Sequence, residues 1–224
     1  MILVLAAVLA TAQPQTPPAP CPDIDTPVTY VCRAVQAQGL GQPARAAEQF
    51  EKAAAASPAN GPERDRALAA AGNMWIAADQ PGKAALALDR ALAGTGLQAE
   101  QRGEALLDRA RAAEAQNDLT TARTRADEAA AIIGEDPFLW YFSAALAIRE
   151  GNAGRAKDAI GRALTLAPND ALVLFEAGHV YHFAGDVAKA REYWTRAAAA
   201  EPNSPTGKAA REALALLDAP AAPK

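Results

Sequence analysis

The sequence predicts an all-α chain of stacked helical hairpins, and three observations carry that reading. Residues of one kind recur at a spacing of 34, as in Ala156 and Ala190, Ala163 and Ala197, Gly151 and Gly185, and Pro168 and Pro202. Half of the chain is hydrophobic but only 5% is aromatic; alanine, the strongest helix former, supplies the largest share. Glycine and proline punctuate three of the units at two fixed places, with Gly41, Gly151 and Gly185 where a first helix must stop and Pro58, Pro168 and Pro202 at the second turn. Glycine tolerates the left-handed backbone common just past a helix end. A unit of this length is one hairpin that cannot bury its apolar face alone, so neighbouring copies must stack into a superhelix.

In chain order, residues 1–12 hold the apolar run Ile2 to Leu9 followed by Ala10, Thr11 and Ala12, which reads as a signal peptide cleaved to leave Gln13. The run is shorter than usual and has no Lys or Arg before it. It falls short of the roughly 20 apolar residues that span a bilayer. Cys21 follows Pro18, Ala19 and Pro20 and lacks the small-residue sequence that precedes a lipidated cysteine. Residues 13–26 carry Pro14, Pro17, Pro18, Pro20 and Pro22 without apolar periodicity, and form an extended linker.

Five copies follow, over 27–60, 65–98, 103–136, 137–170 and 171–204. Bulky residues stand at their fourth position (Tyr30, Leu68, Leu106, Trp140, Leu174). Alanine stands at the twentieth (Ala46, Ala84, Ala122, Ala156, Ala190) and twenty-seventh (Ala53, Ala91, Ala129, Ala163, Ala197). Small residues there let helices approach closely, and bulky ones at positions 4, 11 and 24 fill the gaps. The third copy is alanine-filled, with Gly134 where the closing proline should be. The first two steps are longer by four residues, expected as an insertion near Asn60 to Pro62 and a longer turn over 94–99. Residues 205–219 show Ala210, Ala213, Leu214 and Leu217 on a helical period, with Lys208, Arg211 and Glu212 on the other face. That is a capping helix with a polar exterior. Residues 220–224 are a tail.

Leu174, Gly178, Tyr181, Ala190, Trp194, Ala197 and Pro202 in the fifth copy, with the matching Trp140, Ala156, Ile160, Ala163 and Pro168 in the fourth, resemble the tetratricopeptide repeat family. Ala177 and Trp194 replace the usual Leu and Phe. The resemblance implies a right-handed α-solenoid of about five repeats with a C-terminal capping helix. It also implies a concave groove lined by positions 2, 5, 9 and 12 of each first helix, and a protein or peptide as partner. In the fourth and fifth copies those positions are Phe138, Tyr141, Ala145 and Ile148, then Leu172, Phe175, His179 and His182. They form a semi-apolar aromatic strip suited to an apolar peptide or helix. In the second and third copies they are Arg66, Ala69, Asn73 and Ile76, then Glu104, Leu107, Arg111 and Glu114. Arg66, Asn73 and Arg111 loosely resemble the family's carboxylate-gripping set, but Glu104 and Glu114 would repel a carboxylate.

The two cysteines, Cys21 and Cys32, leave two readings open. Export would permit a disulfide that staples the linker to the exposed end of the array; the other reading is a buried Cys32 and an unpaired Cys21. His179 and His182 share a helix face with Glu176 one turn earlier, which amounts to half a metal site or to plain groove residues. The chain has no nucleophile elbow, phosphate loop or zinc-protease helix. No catalytic residue, metal or cofactor is therefore expected, and an enzyme is not. The net charge is −4, with acidic and basic residues interspersed, which argues against nucleic acid. The expected protein is an exported, periplasmic or secreted, scaffold that holds a partner segment in its groove during envelope assembly or maintenance. The alternatives are a membrane-associated cytoplasmic scaffold and self-association through the uncovered first repeat.

Overall fold

The computed structural model describes residues 20–218, so the expected leader, residues 13–19 of the linker and residues 219–224 lie outside the described part. Among the described residues there are eleven α-helices and no strand. They are α1 (Pro27–Gly39), α2 (Pro43–Ala56), α3 (Pro62–Ala77), α4 (Pro81–Ala93), α5 (Ala99–Ala115), α6 (Leu119–Ala130), α7 (Pro137–Arg149), α8 (Ala153–Leu166), α9 (Ala171–Phe183), α10 (Val187–Ala200) and α11 (Pro205–Asp218). Consecutive pairs form five hairpins that stack as a right-handed solenoid, and α11 packs on α10 as the terminal cap.

Local chemistry sets the helix starts. Pro27, Pro43, Pro62, Pro81 and Pro137 occupy the first helical turn, where the missing N–H costs nothing. Elsewhere a short side chain takes an otherwise orphaned amide. Asp170 accepts from the Leu172 and Val173 amides at 2.9 and 3.0 Å, and Asp118, Asn152 and Asp186 cap α6, α8 and α10 in the same way. Every turn inside a hairpin contains one left-handed residue. Three are Gly41, Gly151 and Gly185, and the other two are Asp79 (φ 55°) and Asn117 (φ 62°), residue types that tolerate this region.

The core is a ladder of small residues. Ala46, Ala84, Ala122, Ala156 and Ala190, with Ala53, Ala91, Ala129, Ala163 and Ala197, are all buried at helix crossings. Bulk comes from Leu68, Trp75, Leu88, Leu139, Leu146, Ile160 and Leu174. A Cβ at Gly178 would overlap the Trp194 indole, and one at Gly72 would overlap Leu88, so the glycine creates the space each large residue fills.

The extra residues of the second and third copies do not chiefly lengthen the 94–99 turn. They extend first helices at their N-termini: α3 and α5 have 16 and 17 residues where α1, α7 and α9 have 13. In the lengthened start of α3, the buried Asp65 accepts from the Gly96 amide at 3.0 Å and from Arg64 at 3.2 Å. The Gly94 to Gly96 loop folds onto the lengthened start of α3, and a Cβ at Gly94 would overlap the Asp65 carboxylate.

Two seams are held by polar contacts. Between α6, whose buried face is otherwise alanine, and α7, the buried Arg123 donates to Ser143 Oγ at 2.7 Å, to the Ser143 carbonyl at 3.2 Å and to Glu150 at 2.9 and 3.0 Å. At the N-terminal end no preceding helix exists within the described residues. The position that Ser143 occupies in α7 is Arg33 in α1, and Arg33 donates to Asp25 at 3.1 Å and to the Pro22 carbonyl at 3.2 Å. Cys21 and Cys32 are joined by a disulfide, so residues 21–25 form a strap over the flank where another hairpin would stack. No described helix is long and apolar enough to cross a membrane.

Candidate binding groove

Groove positions from four successive first helices converge on one cavity of about 560 Å³. Its lining includes Gln38 of α1, Arg66, Ala69 and Asn73 of α3, Glu104, Leu107 and Arg111 of α5, and Phe138 of α7. A helix presents residues three and four apart on one face, and stacking the hairpins in register turns those faces into a continuous wall. A second hollow, also about 560 Å³, lies between α7 and α9, lined by Ala145, Ile148 and Arg149 and by Glu176, His179, His182 and Phe183.

The aromatic strip is thus divided. Phe138 faces the first cavity, with its ring 5.4 Å from Tyr141 and beneath the Arg111 guanidinium at 5.5 Å. Ile148, His179 and His182 line the second. Tyr141 and Phe175 are half-buried, packing into the helix interfaces on either side, and Leu172 is exposed; none of these three lines either hollow. His179 lies 4.4 Å from the Phe175 ring and 5.4 Å from Trp194, and His182 lies 5.6 Å from Trp194. The imidazoles therefore stand on an aromatic floor. Among the described residues no cluster of three His, Cys, Asp or Glu side chains is placed to hold a metal ion.

The loosely clamp-like set is engaged internally. Asn73 and Arg111 both donate to Asp108, at 2.8 and 2.9 Å, and Arg66 donates to Glu63 at 3.0 Å. Burial, and then the neighbouring Glu100, Asp108 and Asp136, raise the Glu104 carboxyl above its ordinary value. This end of the groove crowds carboxylates together and is not built to receive another. Burial likewise raises the Tyr141 phenol, with the Glu176 carboxylate adding to the effect.

Sequence reasoning named Cys32 and Glu176 singly but did not compare the sixth position across the first helices. There α1, α3 and α7 carry Cys32, Ala70 and Phe142, while α5 and α9 carry Asp108 and Glu176. A carboxylate at an otherwise apolar repeat position was the available signal. It also left out the first copy, where Val28, Val31 and Val35 stand exposed on α1 at the groove positions.

No protein-family profile matches the chain, and no curated protein matches it. Solved structures do match. A structure of PilW, a type IV pilus biogenesis factor, superposes with a TM-score of 0.68 at 19% identity, covering 82% of this chain and 81% of that one. Crystal structures of MamA (0.63, 17%, covering 88% and 98%) and of YrrB (0.60, 17%, covering 83% and 91%) also match, the last described as a TPR protein with an unusual peptide-binding site. This is the tetratricopeptide repeat fold. Identities this low establish the fold alone; within it, the groove just described is the surface that neighbouring repeats build jointly.

Proposed function

We propose that the protein is an exported scaffold that holds a segment of a protein partner in its concave groove, in assembly or maintenance of the cell envelope. The observation that carries this reading is the convergence of side chains from α1, α3, α5 and α7 on a single cavity, continued by the hollow between α7 and α9. A surface that needs several repeats to exist, and that contains no catalytic constellation, suits recognition of an extended segment. Export is supported by the apolar run before Ala12 and by the Cys21–Cys32 bridge, a bond that persists in oxidising compartments. The envelope role draws on the pilus biogenesis factor among the similar structures.

The test is recovery of partners from the native cell by tagged wild type beside an Ala69→Arg, Ala145→Arg variant. Both alanines line the groove and are only half-buried, so the long side chains fill the two hollows without emptying the core. Partners held by wild type and lost by a variant that keeps its helical circular dichroism support the groove; equal recovery by both overturns it. Intact mass of the envelope-derived protein should start at Gln13, and a mass that retains Met1 would refute export.

A further inference from the structure

Asp108 and Glu176 occupy the same repeat position in α5 and α9, yet their surroundings differ. Asp108 receives the Asn73 amide from the preceding first helix at 2.8 Å and the Arg111 guanidinium from its own helix at 2.9 Å. The residues equivalent to those donors around Glu176 are Ala145, which has nothing to donate, and His179, whose Nδ1 is 3.5 Å away. That separation exceeds a good N–H···O hydrogen bond. Glu176 is only 7% exposed, has His179 as its one ion-pair neighbour among the described residues with the Tyr141 phenol within electrostatic reach, and lines the hollow beside Ala145. Arg149, the other charged residue there, is turned to the Glu114 carboxylate and to Asn117 at 2.8 Å.

Resting on the groove reading above, we infer that the hollow between α7 and α9 receives an Arg or Lys side chain of the partner segment, with Glu176 as the acceptor. The place for its N–H groups lies above Ala145, where the Asn73 amide stands in the α3–α5 pair. A buried carboxylate with so little hydrogen bonding is costly and gains most from a donor that carries positive charge. Ile148, Ala145 and Phe183 offer apolar wall to the side chain's methylene stem. The first cavity carries Glu104, Asp108 and Asp136 against Arg66 and Arg111, and both arginines are already engaged, by Glu63 and Asp108, so its remaining charge is acidic and also favours a cationic segment. The protein segment is favoured over a free amine because the hollow continues the wall of a groove that spans several repeats.

Fluorescence anisotropy with labelled nine-residue peptides, identical but for a central Arg, Lys, citrulline or Glu between leucines, tests this without altering the protein. Arg and Lys peptides should bind at least tenfold more tightly than the citrulline and Glu peptides. Glu176→Gln should abolish that preference. Ala145→Asn, which reproduces the Asn73 arrangement, should fold with a raised Tm and bind the Arg peptide at least tenfold more weakly. Equal binding of Arg and citrulline peptides, a preference that survives Glu176→Gln, or no binding by any peptide overturns the inference. Displacement of the Arg peptide by an equal concentration of spermidine overturns it too and assigns the hollow to a small polycation. The groove reading is judged separately, by whether native partners are lost from the Ala69→Arg, Ala145→Arg variant.

Discussion

Reducing the Cys21–Cys32 bridge, or replacing Cys21 by Ser, should loosen one end of the array and leave the other intact. The bridge spans 11 residues, for which the chain-entropy treatment gives about 2.8 kcal/mol at 25 °C. The Arg33 contacts to Asp23 and Asp25 are exposed and add at most about 1 kcal/mol. A solenoid is stabilised by each repeat and its nearest neighbours, so the loss should not spread evenly. Opening the bridge frees the strap from the flank of α1, and the first hairpin loses its cover. Amide exchange in α1 and α2, where it proceeds by local opening, should accelerate by about a hundredfold on reduction, since each 1.4 kcal/mol is a factor of ten. Exchange in α9 and α10 should not change. Hydrogen exchange read by mass spectrometry on oxidised and reduced protein measures both ends at once. Unchanged protection in α1 and α2 would show that the strap does not support the first repeat. Equal acceleration in α9 and α10 would refute the nearest-neighbour reasoning itself.

Three further outcomes follow from particular contacts. Trp194 is buried against Gly178 and donates to the Phe175 carbonyl at 3.1 Å, so Trp194→Ala should cost about 3–5 kcal/mol in a urea melt; the half-buried Trp140, covered by Arg162 at 4.4 Å, should cost clearly less, and a reversed order would refute the packing described. Arg123→Ala strands the Glu150 carboxylate and empties the α6–α7 seam, with an expected loss on the order of 3 kcal/mol; a variant with unchanged stability would show that the alanine face of α6 suffices. Because the Glu104 carboxyl is raised in the fold, the folded chain binds that proton more tightly than the unfolded one, so this group opposes folding above its pKa and ceases to do so as pH falls through it. Glu104→Gln should therefore match or exceed the wild-type Tm at pH 7, with any gain vanishing on acidification, and a lower Tm at pH 7 would contradict the crowding of carboxylates.

Much of the fold was legible because the relevant forces act inside one repeat or between adjacent ones. Alanine at two crossings and a large residue facing Gly72 or Gly178 are local solutions to close helix packing, and they recur at a period that can be counted. The turn glycines were legible for the same reason, whereas Asp79 and Asn117 were not, since a left-handed Asp or Asn looks like any polar loop residue until the backbone is seen. The second four-residue addition was assigned to the 94–99 turn because spacing counts residues without saying which element absorbs them. The structure places the added residues in the first turns of α3 and α5, and in α3 Asp65 holds the Gly96 amide across a hairpin.

The candidate site divides along the same line. Of the groove positions expected from helical spacing, Phe138, Ile148, His179 and His182 do line a hollow. Spacing could not say that Tyr141 and Phe175 would turn partly into the interfaces while Ile148 and His182 line an open hollow, because that depends on the size of side chains on neighbouring helices. Nor could it distinguish Asp108 from Glu176. Asp108 holds two close donors and Glu176 only the more distant His179, because Asn73 stands beside the first and Ala145 beside the second, each on the preceding first helix. By itself the sequence determined the repeat and its stacking, both set by local spacing and volume. The tertiary structure decided which polar groups find partners, because hydrogen bonding requires two distant residues to meet within about 3 Å.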